Sequence, residues 1–403
     1  MEAREAKGLA IASGSEFTRE GNIWIVPSQI SSKRYSVNPF IQTCSCPDYE
    51  AHRRKCKHIF AVEAQIKRES GIELPVPPKV VKPTYKQAWH EYNLAQTNEK
   101  AKFLELLYDL TRNVEEMPRK SRVGRSRLPL ADMIFCVAFK TYSLFSGRRF
   151  ISDLREVQGR GYVSRTPHFN SIFNYLELEE MTAQLKQLIV ISSLPLRTVE
   201  WDFAVDSSGF TTGRFVRWLT AKYSDPKLID KQDWVKVHLI CGVKTNVVTS
   251  VEVSERHAGD SPFFEPLVEA TAENFPIQSV AADKAYSSSK NLQLVQLKGG
   301  MPYIAFRSNA TAADPRSTSV WKRMLNFYTY NQEWFMSHYH QRSNVESTFS
   351  MIKAKFGERI RSQTQTAQVN EVLCKVLCHN LCCVIQSMYE LGVDVDFQAE
   401  MMG

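Results

Sequence analysis

The sequence is poor in cysteine and contains no long apolar run, and each of these absences excludes a class of protein. Nine cysteines among 403 residues are too few for a disulfide scaffold, so we expect a reducing compartment with thiols that are free or bound to metal. No uncharged apolar run reaches the roughly 18 residues that a spanning helix needs, so we expect no membrane partner. The chain starts Met-Glu-Ala-Arg-Glu without an apolar signal core, so we expect a cytoplasmic protein.

The composition is that of a globular protein with a modest excess of positive charge. Hydrophobic residues make up 43% and charged residues 23%, which excludes global disorder, collagen-like chains and low-complexity chains. Lys and Arg number 51 against 43 Asp and Glu, which gives a net charge of +8. This charge fits a polyanionic partner. At about 150 residues per domain, the length predicts two or three domains.

The chain divides into four regions by pattern. Residues 22–68 concentrate cysteine and histidine, and 69–84 is a proline-rich linker, because proline blocks both helices and strand ladders. Residues 85–196 repeat apolar side chains at helical spacing, which predicts a helical domain. From 197 to 392 the order β-β-β-α-β-α-β-α predicts a mixed α/β domain. In it we expect strands at 199–206, 235–243, 247–253, 279–283 and 301–306, and helices starting at Ser261 and covering 288–297, about 335–356 and about 368–391.

The first region carries a complete set of zinc ligands. Cys44, Cys46, Cys56 and His58 follow the spacing C-x-C, nine residues, C-x-H. Three thiolates and one imidazole complete a tetrahedral zinc site with no open position, which predicts one structural zinc ion. A fold of under about 50 residues has little hydrophobic core, so it needs a bound metal ion to stabilise it. His52 could compete as a ligand, although the spacing favours His58.

The order of elements around these ligands is also informative. Two strands, the C-x-C pair, the C-x-H pair and a helix follow one another over residues 22–68, and this arrangement resembles the SWIM zinc finger. The cations around the ligands fit simple solubility and contact with DNA or an acidic partner equally well. These cations are Arg53, Arg54, Lys55 and Lys57.

A second group of cysteines lies near the end of the sequence. Cys374, Cys378 and Cys382 recur every four residues, with His379 and Cys383 beside them. On a helix they share one face, and free cysteine is a common small core residue. We favour core packing over a second metal site.

Three carboxylates stand out by their position in the last region. Asp206 is expected at the end of the first strand, Asp283 at the end of the fourth, and Glu346 in the helix after the fifth. Functional groups of open α/β sheets gather at the carboxyl ends of strands, so the three meet if the first and fourth strands are neighbours. Such a group can hold two divalent ions, and its oxygen ligands favour Mg²⁺ or Mn²⁺.

Other acidic and histidine side chains nearby are alternatives. Asp202 faces the same side of the strand as Asp206 and could replace it, although Asp206 lies nearer the expected strand end. Asp260 is interpreted as structural, with contact near the site as the alternative. His257 is interpreted as a surface or cap histidine, with a role near the metals as the alternative.

The helix that contains Glu346 carries a stripe of polar residues. Tyr339, Arg342, Glu346 and Lys353 are spaced by three, four and seven, which places them on one helical face. By spacing alone, a solvated face with salt bridges and a phosphate-binding face are equally good interpretations. The pattern Tyr-x2-Arg-x3-Glu-x6-Lys resembles the signature of bacterial insertion-sequence DDE transposases. Asp206-Ser207-Ser208 and Asp283-Lys284-Ala285-Tyr286 are similar to the motifs around their two catalytic aspartates.

This resemblance covers about residues 197–390 and implies a specific chemistry. It implies a ribonuclease-H-like fold in which Asp206, Asp283 and Glu346 hold two Mg²⁺ or Mn²⁺ ions. Tyr339, Arg342 and Lys353 would then position DNA near the cut. The implied partner is double-stranded DNA, both element ends and target, bound by a homodimer or a larger assembly in the nucleoid.

A basic segment between two predicted helices is a further candidate for DNA contact. Residues 119–127 hold five cations and no acid, and phosphate contact is favoured over a solvated loop. Arg214 and Arg217 follow Asp206 and fit either interpretation. The five cations are Arg119, Lys120, Arg122, Arg125 and Arg127.

The chain departs from some relatives in the segment before Glu346. Only about 25 residues, from 308 to 333, are left for an insertion, so we expect no full insertion domain. Four aromatic residues in this segment or directly after it could hold a flipped base, although packing of a short loop is favoured: Trp321, Phe327, Tyr328 and Trp334. Two other functions fit the sequence, a non-catalytic DNA-binding protein derived from a transposase and a nuclease of the same fold.

Overall fold

The structure, a computed structural model, describes residues 3–29, 33–69, 88–116, 127–213, 234–307, 310–311 and 318–402. The chain forms two compact units, Met1–Lys86 and Gln87–Gly403. Apart from Glu69, the predicted linker 69–84 lies outside the described residues. So do four cations of the basic segment, Arg119, Lys120, Arg122 and Arg125, and also Arg214 and Arg217.

The first unit is a small antiparallel sheet packed against helices. Its four strands follow one another in the order β1-β2-β3-β4, with Trp24 opposite Val37 and Val37 opposite Cys44. Trp24, Val26 and Val37 are buried together with Ile59 of the last helix. The elements are α1 (Ala3–Gly14), β1 (Thr18–Glu20), β2 (Ile23–Pro27), β3 (Arg34–Asn38), β4 (Thr43–Cys44), α2 (Pro47–His52) and α3 (Lys57–Glu69).

The two strands and the helix predicted for this region are confirmed, and the N-terminal helix α1 adds to them. It packs against α3 at a glycine. A Cβ built on Gly8 would lie 2.5 Å from the Cβ of Phe60, which is closer than two carbon atoms can approach. Glycine at this position therefore lets the two helices touch and cover one side of the small core.

The second unit begins with helices and continues into a five-stranded sheet. Residues 88–116 and 127–196 contain helices and no strand in their described part, as the apolar spacing predicts. The helices are α4 (Trp89–Thr111), α5 (Leu130–Ser143), α6 (Ile151–Gly159), α7 (Phe169–Leu176) and α8 (Glu179–Ser193), followed by a 3-10 turn at Leu194–Leu196.

The sheet of the second unit has the strand order β7-β6-β5-β8-β9. The first three strands pair in antiparallel fashion, whereas β8 is parallel to β5 and β9 is parallel to β8. The first and fourth strands along this region are therefore neighbours, which is the condition for Asp206 and Asp283 to meet. The strands are β5 (Asp202–Thr211), β6 (Trp234–Gly242), β7 (Val248–Ser254), β8 (Ser279–Ala282) and β9 (Met301–Ile304).

The remaining helices confirm the predicted order but differ in detail. The helix expected at Ser261 starts as a 3-10 turn at Ser261–Phe263 with Asp260, not Ser261, in the cap position. The single helix expected at 335–356 is two helices separated by a 3-10 turn at His340–Arg342. The helices are α9 (Phe264–Ala272), α10 (Ser289–Leu297), α11 (Ser319–Tyr330), α12 (Gln332–Tyr339), α13 (Ser343–Phe356), α14 (Gln365–Leu391) and α15 (Phe397–Met402).

Helix α14 is the central element of the second unit. By length and composition it could cross a membrane, but 78% of its most apolar window is buried in the protein, as in the core helix of a globular domain. It packs against α4, α5 and α8 and against the sheet. Cys374 and Cys378 are fully buried in this core, so core packing is the role that the structure gives to the cysteine stripe.

One hydrophobic cluster unites the helical region with the sheet. Phe139 of α5, Leu188 of α8, Leu239 of β6 and Leu377 of α14 all belong to it. The predicted boundary between residues 196 and 197 therefore does not separate two cores. A DNA-binding role for 85–196 stays a prediction.

Asn380 connects α14 to two other elements. Its side-chain carbonyl accepts from the Val248 N–H at 2.8 Å, and its amide donates to the Val248 carbonyl at 2.7 Å and to Ser192 Oγ at 3.0 Å. We expect Asn380→Ala to lower the free energy of unfolding by about 3–5 kcal/mol, because buried backbone groups of Val248 lose their partners and a cavity remains. Urea unfolding followed by tryptophan fluorescence measures this.

The matched control lies on the same helix. Among the described residues, the Gln386 side chain bonds to Glu390 one turn away on the same helix, so Gln386→Ala should cost less than about 1 kcal/mol. Equal unfolding midpoints for the two variants would contradict the bridging role of Asn380.

Candidate functional site

Asp206 and Asp283 lie side by side at the point where the parallel pairing of β5 with β8 ends. The parallel register aligns Val205 with Ala282, so the next residue of each chain segment is Asp206 or Asp283. Contrary to the sequence expectation, Asp206 is not at the end of its strand, because β5 continues to Thr211 against β6. Only the parallel pairing with β8 ends at this point. The side chain of Asp283 accepts from the Ala285 N–H at 2.7 Å and caps the turn that follows.

Glu346 is brought to Asp206 through an arginine. Arg342 donates to Asp206 Oδ2 at 3.1 Å and to Glu346 Oε1 at 2.6 Å. It lies in the 3-10 turn that separates α12 from α13, and Glu346 lies in the first turn of α13. The break in the predicted helix therefore directs Arg342 toward both carboxylates.

The environment of Asp206 disfavours its charged form. Burial raises the pKa of this carboxyl to about 6, with a further rise from the negative charge of Asp283. The Ser207 N–H and the Arg342 guanidinium act in the opposite direction. A further cation beside Asp206 would therefore stabilise the charged form of its carboxyl.

The donor set fits hard divalent ions, although the three carboxylates do not converge on a single point. In the described part of the chain, no three acidic side chains have oxygens all within 4.8 Å of one another. Arg342 lies between two of them and supplies positive charge there. Carboxylate oxygens at a strand edge suit Mg²⁺ or Mn²⁺, and separate ions shared between pairs of carboxylates do not need all three at one point.

A polar network supports the backbone beside Asp206. Asp260 Oδ1 accepts from Ser207 Oγ at 2.6 Å and from Lys236 Nζ at 2.8 Å. Burial opposes ionisation of Asp260, but these hydrogen bonds outweigh burial and lower its pKa. The same oxygen lies 3.5 Å from the buried His238 Nδ1. Sequence reasoning gave Asp260 a structural role and missed Lys236 and His238, since only the antiparallel pairing of β5 with β6 brings them to Ser207.

Lys353 fixes the strand that carries Asp206. Its ammonium donates to Ser208 Oγ at 3.0 Å and to the Gly209 carbonyl at 2.8 Å, and it lies 5.1 Å from the ring centre of Phe210. Burial lowers the pKa of Lys353.

Tyr339 is partly buried and packs against the hydrophobic cluster that contains Phe335. Contact of Tyr339, Arg342 and Lys353 with DNA stays a prediction.

A deep cleft opens beside these residues. It has a volume of about 1360 Å³ and is lined by Asp206, Glu346 and Lys353 and by residues of α5, α7 and the segment after α13. Five of its lining side chains are cationic and four are acidic, so the cleft pairs positive groups with a cluster of carboxylates. The cations are Lys140, Lys353, Arg359, Arg361 and Lys375.

The other sequence candidates lie away from this cleft. Asp202 accepts from Ser279 Oγ at the start of β5, and the exposed His257 contacts Arg256. Arg127, the described member of the basic segment, is exposed.

The four aromatic residues considered for base binding lie on helices α11 and α12 and not in the short loop favoured from the sequence. Trp321, Phe327 and Tyr328 pack around Phe306 and Phe335. Trp334 is 51% exposed and lies against Phe327.

The first unit contains a separate metal site. The donor atoms of Cys44, Cys46, Cys56 and His58 all lie within 4.8 Å of one another, and all four residues are buried. His58 Nδ1 lies 3.9 Å from Cys44 Sγ and 4.0 Å from Cys56 Sγ, close to the roughly 3.6 Å edge of a tetrahedron with Zn–S and Zn–N bonds. The hydrogen bond from the Cys44 thiol lowers the pKa of Cys56 to about 4. His52 is exposed and pairs with Asp48 instead.

Comparison with known protein families yields one match in each unit. Residues 30–67 match the SWIM zinc finger, and residues 197–381 match the transposase DDE domain. The first unit thus resembles a SWIM zinc finger, and the second unit resembles a transposase DDE domain over residues 197–381. Both resemblances inferred from the motifs are thereby confirmed, and the buried Cys₃His group can hold the zinc ion of such a finger.

A curated relative agrees with the match to the transposase DDE domain. A probable transposase for insertion sequence element ISA1214 of Archaeoglobus fulgidus is 27% identical over 204 residues, which are 50% of this chain and 59% of the relative. The chain thus spans less than two thirds of that relative. The cryo-EM structure of the piggyBac transposase synaptic complex with hairpin DNA aligns with 77% of each chain at 11% identity and a TM-score of 0.34, a score that does not establish a shared fold.

Proposed function

We propose that this protein is a transposase that binds the terminal inverted repeats of a mobile element, cuts the DNA there and joins the freed end to target DNA. One observation carries the proposal. The parallel pairing of β5 with β8 puts Asp206 beside Asp283, and Arg342 ties Glu346 to the same place. The sheet order, with three antiparallel strands followed by two parallel ones, supports a ribonuclease-H-like fold for the DDE domain.

In this proposal Asp206, Asp283 and Glu346 hold two Mg²⁺ or Mn²⁺ ions. Bound ions of this kind would activate the attacking water or 3′-hydroxyl and stabilise the leaving oxygen. Arg342 would turn from the carboxylates toward a DNA phosphate, because its present partners would then be neutralised by metal. Lys353 and the network of Asp260 would keep the backbone at Asp206 and Ser207 fixed while the phosphodiester is exchanged.

The remaining features of the proposal follow from the reaction. Two element ends must be joined to one target, so the active form is a homodimer or a larger assembly on double-stranded DNA. The zinc finger and the helices of 85–196 would hold the repeats. The described part of 283–346 contains helices α11 and α12 but no strand beyond β9, and this favours a reaction without a strand-rich insertion domain.

The decisive experiment uses the DNA that flanks this gene, cloned in a supercoiled plasmid. We expect purified protein with Mg²⁺ or Mn²⁺ to cut at a pair of inverted repeats and to yield joined products, and we expect Asp283→Ala to bind the same DNA without cutting. Binding to the repeats with no cuts by the unaltered protein would favour a retired, DNA-binding descendant. Scattered cuts without joining would favour a nuclease.

A further inference from the structure

A second pocket lies on the helical part of the second unit, outside the site described above. It has a volume of about 740 Å³ and is open to solvent on one side. Its walls come from the start of α6 and from the segment that leads into α7. The lining residues are Arg148, Arg149, Ile151, Ser152, Arg155, Thr166, Pro167, His168 and Phe169.

The pocket is strongly cationic. Its lining includes Arg148, Arg149 and Arg155 and no carboxylate. Within the described part of the chain, none of these three guanidinium groups lies within 4.0 Å of an acidic side chain, whereas Arg160 on the same helix pairs with Glu156 at 2.6 Å. Three neighbouring arginines without acids repel one another, and an anion in the pocket would relieve that repulsion.

Two further features point to an anion. Both α6 and α7 begin at the pocket, at Ile151 and Phe169, so the positive ends of two helix dipoles face it. Arg148 lies 5.4 Å from the ring centre of Phe169, and this contact holds its guanidinium group at the rim. Such a group presents a fixed fork of donors to phosphate oxygens.

Consecutive residues of one chain segment line the pocket and the cleft that contains Asp206 and Glu346. Leu144, Ser146 and Gly147 line the cleft, and the next two residues along the chain, Arg148 and Arg149, line the pocket. At the boundary, Gly147 lies against the ring of Phe173, where a Cβ would come within 2.9 Å. Phe145 and Phe173 beside it are 47% and 43% exposed, as are aromatic side chains that contact bases or sugars next to phosphate-binding groups.

We propose that this arginine pocket binds the phosphate backbone of duplex DNA whose reacting phosphodiester lies in the adjoining cleft. The inference rests on the proposed function for the identity of the anion. It adds a binding site in the helical region that is distinct from the basic segment 119–127. Since the contacts are to phosphates, the pocket binds DNA of any sequence and positions it.

Binding of a random 30-base-pair duplex by the zinc-loaded full-length protein, without added Mg²⁺ or Mn²⁺, tests this proposal without any cleavage. We expect the triple variant Arg148→Ala, Arg149→Ala, Arg155→Ala to bind at least tenfold more weakly near 0.1 M salt. The slope of log affinity against log salt should fall by about 2–3, because each lost phosphate contact removes about 0.9 from it. Fluorescence anisotropy across a salt series measures both quantities.

Two further variants complete the design. Arg160→Ala removes an equally exposed arginine of α6 that is already paired, and it should leave affinity within twofold and the slope unchanged. Arg155→Gln alone should lower the slope by about one, which keeps the test valid should the triple variant fold poorly. A triple variant with the affinity and slope of the unaltered protein would overturn the proposal. A protein that binds through the pocket but never cuts would overturn the transposase function and leave the pocket standing.

Discussion

Asp206→Asn should reduce metal-dependent DNA cleavage by about a thousandfold or more, whereas Asp202→Asn should leave it within about threefold. Loss of one carboxylate that holds a catalytic ion removes roughly 4 kcal/mol of transition-state stabilisation. Asp206 lies at the edge shared with Asp283 and faces Arg342. Asp202 lies four residues earlier, about 13 Å along the strand, and bonds to Ser279, so it cannot share an ion with Glu346.

Rates of strand cleavage on the flanking-DNA plasmid, measured with both variants at saturating Mg²⁺, check this pair. Both substitutions exchange a carboxylate for an amide on the same face of the same strand, so differences in folding are small between them. DNA binding by the zinc-loaded protein without added Mg²⁺ or Mn²⁺ should be unchanged in both. Equal loss of cleavage in the two variants would contradict the choice of Asp206 over Asp202 as the metal ligand. It would indicate instead that cleavage requires negative charge on β5 in general.

Loss of the zinc ligands should unfold the first unit and leave the second unit intact. Cys56→Ser removes one of four donors whose zinc affinity is worth about 10–16 kcal/mol in small fingers. The unit has only two small clusters in its described part, a larger one around Trp24, Val37 and Ile59 and a smaller one of Leu9, Ala12 and Ala64, and a core of this size depends on the bound zinc. We expect backbone amides of β2, β3 and α3 to lose protection from hydrogen exchange, while those of α14 keep theirs.

The control for this prediction is the competing histidine. His52→Asn should keep one zinc ion per chain by native mass spectrometry and keep the exchange pattern, because His52 is exposed and pairs with Asp48. His58→Asn should lose the ion, as Cys56→Ser does. If the zinc content fell in His52→Asn but not in His58→Asn, His52 would replace His58 as the ligand. If the purified unaltered protein contained no zinc, the proposed zinc site would be wrong.

The carboxylate site and the arginine pocket, both proposed to contact DNA, differ in how the sequence reveals them. The carboxylates belong to motifs of fixed spacing around Asp206, Asp283 and Glu346, so pattern alone selects them from 43 acids. The arginine pocket combines α6 with the segment before α7. Its cations are separated by ordinary intervals, and no local pattern distinguishes Arg155 from the other exposed arginines of the helical region.

The sequence by itself determined the order of the predicted strands and helices. It also selected the candidate zinc ligands and the three candidate carboxylates, whose roles stay predictions. These features depend on ligand chemistry and on periodicity, both of which are local along the chain. It did not determine where β5 ends relative to Asp206 or where the helix before Glu346 breaks, because pairing with β6 and the turn at His340–Arg342 decide these. Tertiary structure alone placed Arg342 between two acids, Asp260 beneath Ser207 and three arginines around one pocket. Each of these depends on which distant elements pack together, and side-chain burial across the whole core decides that.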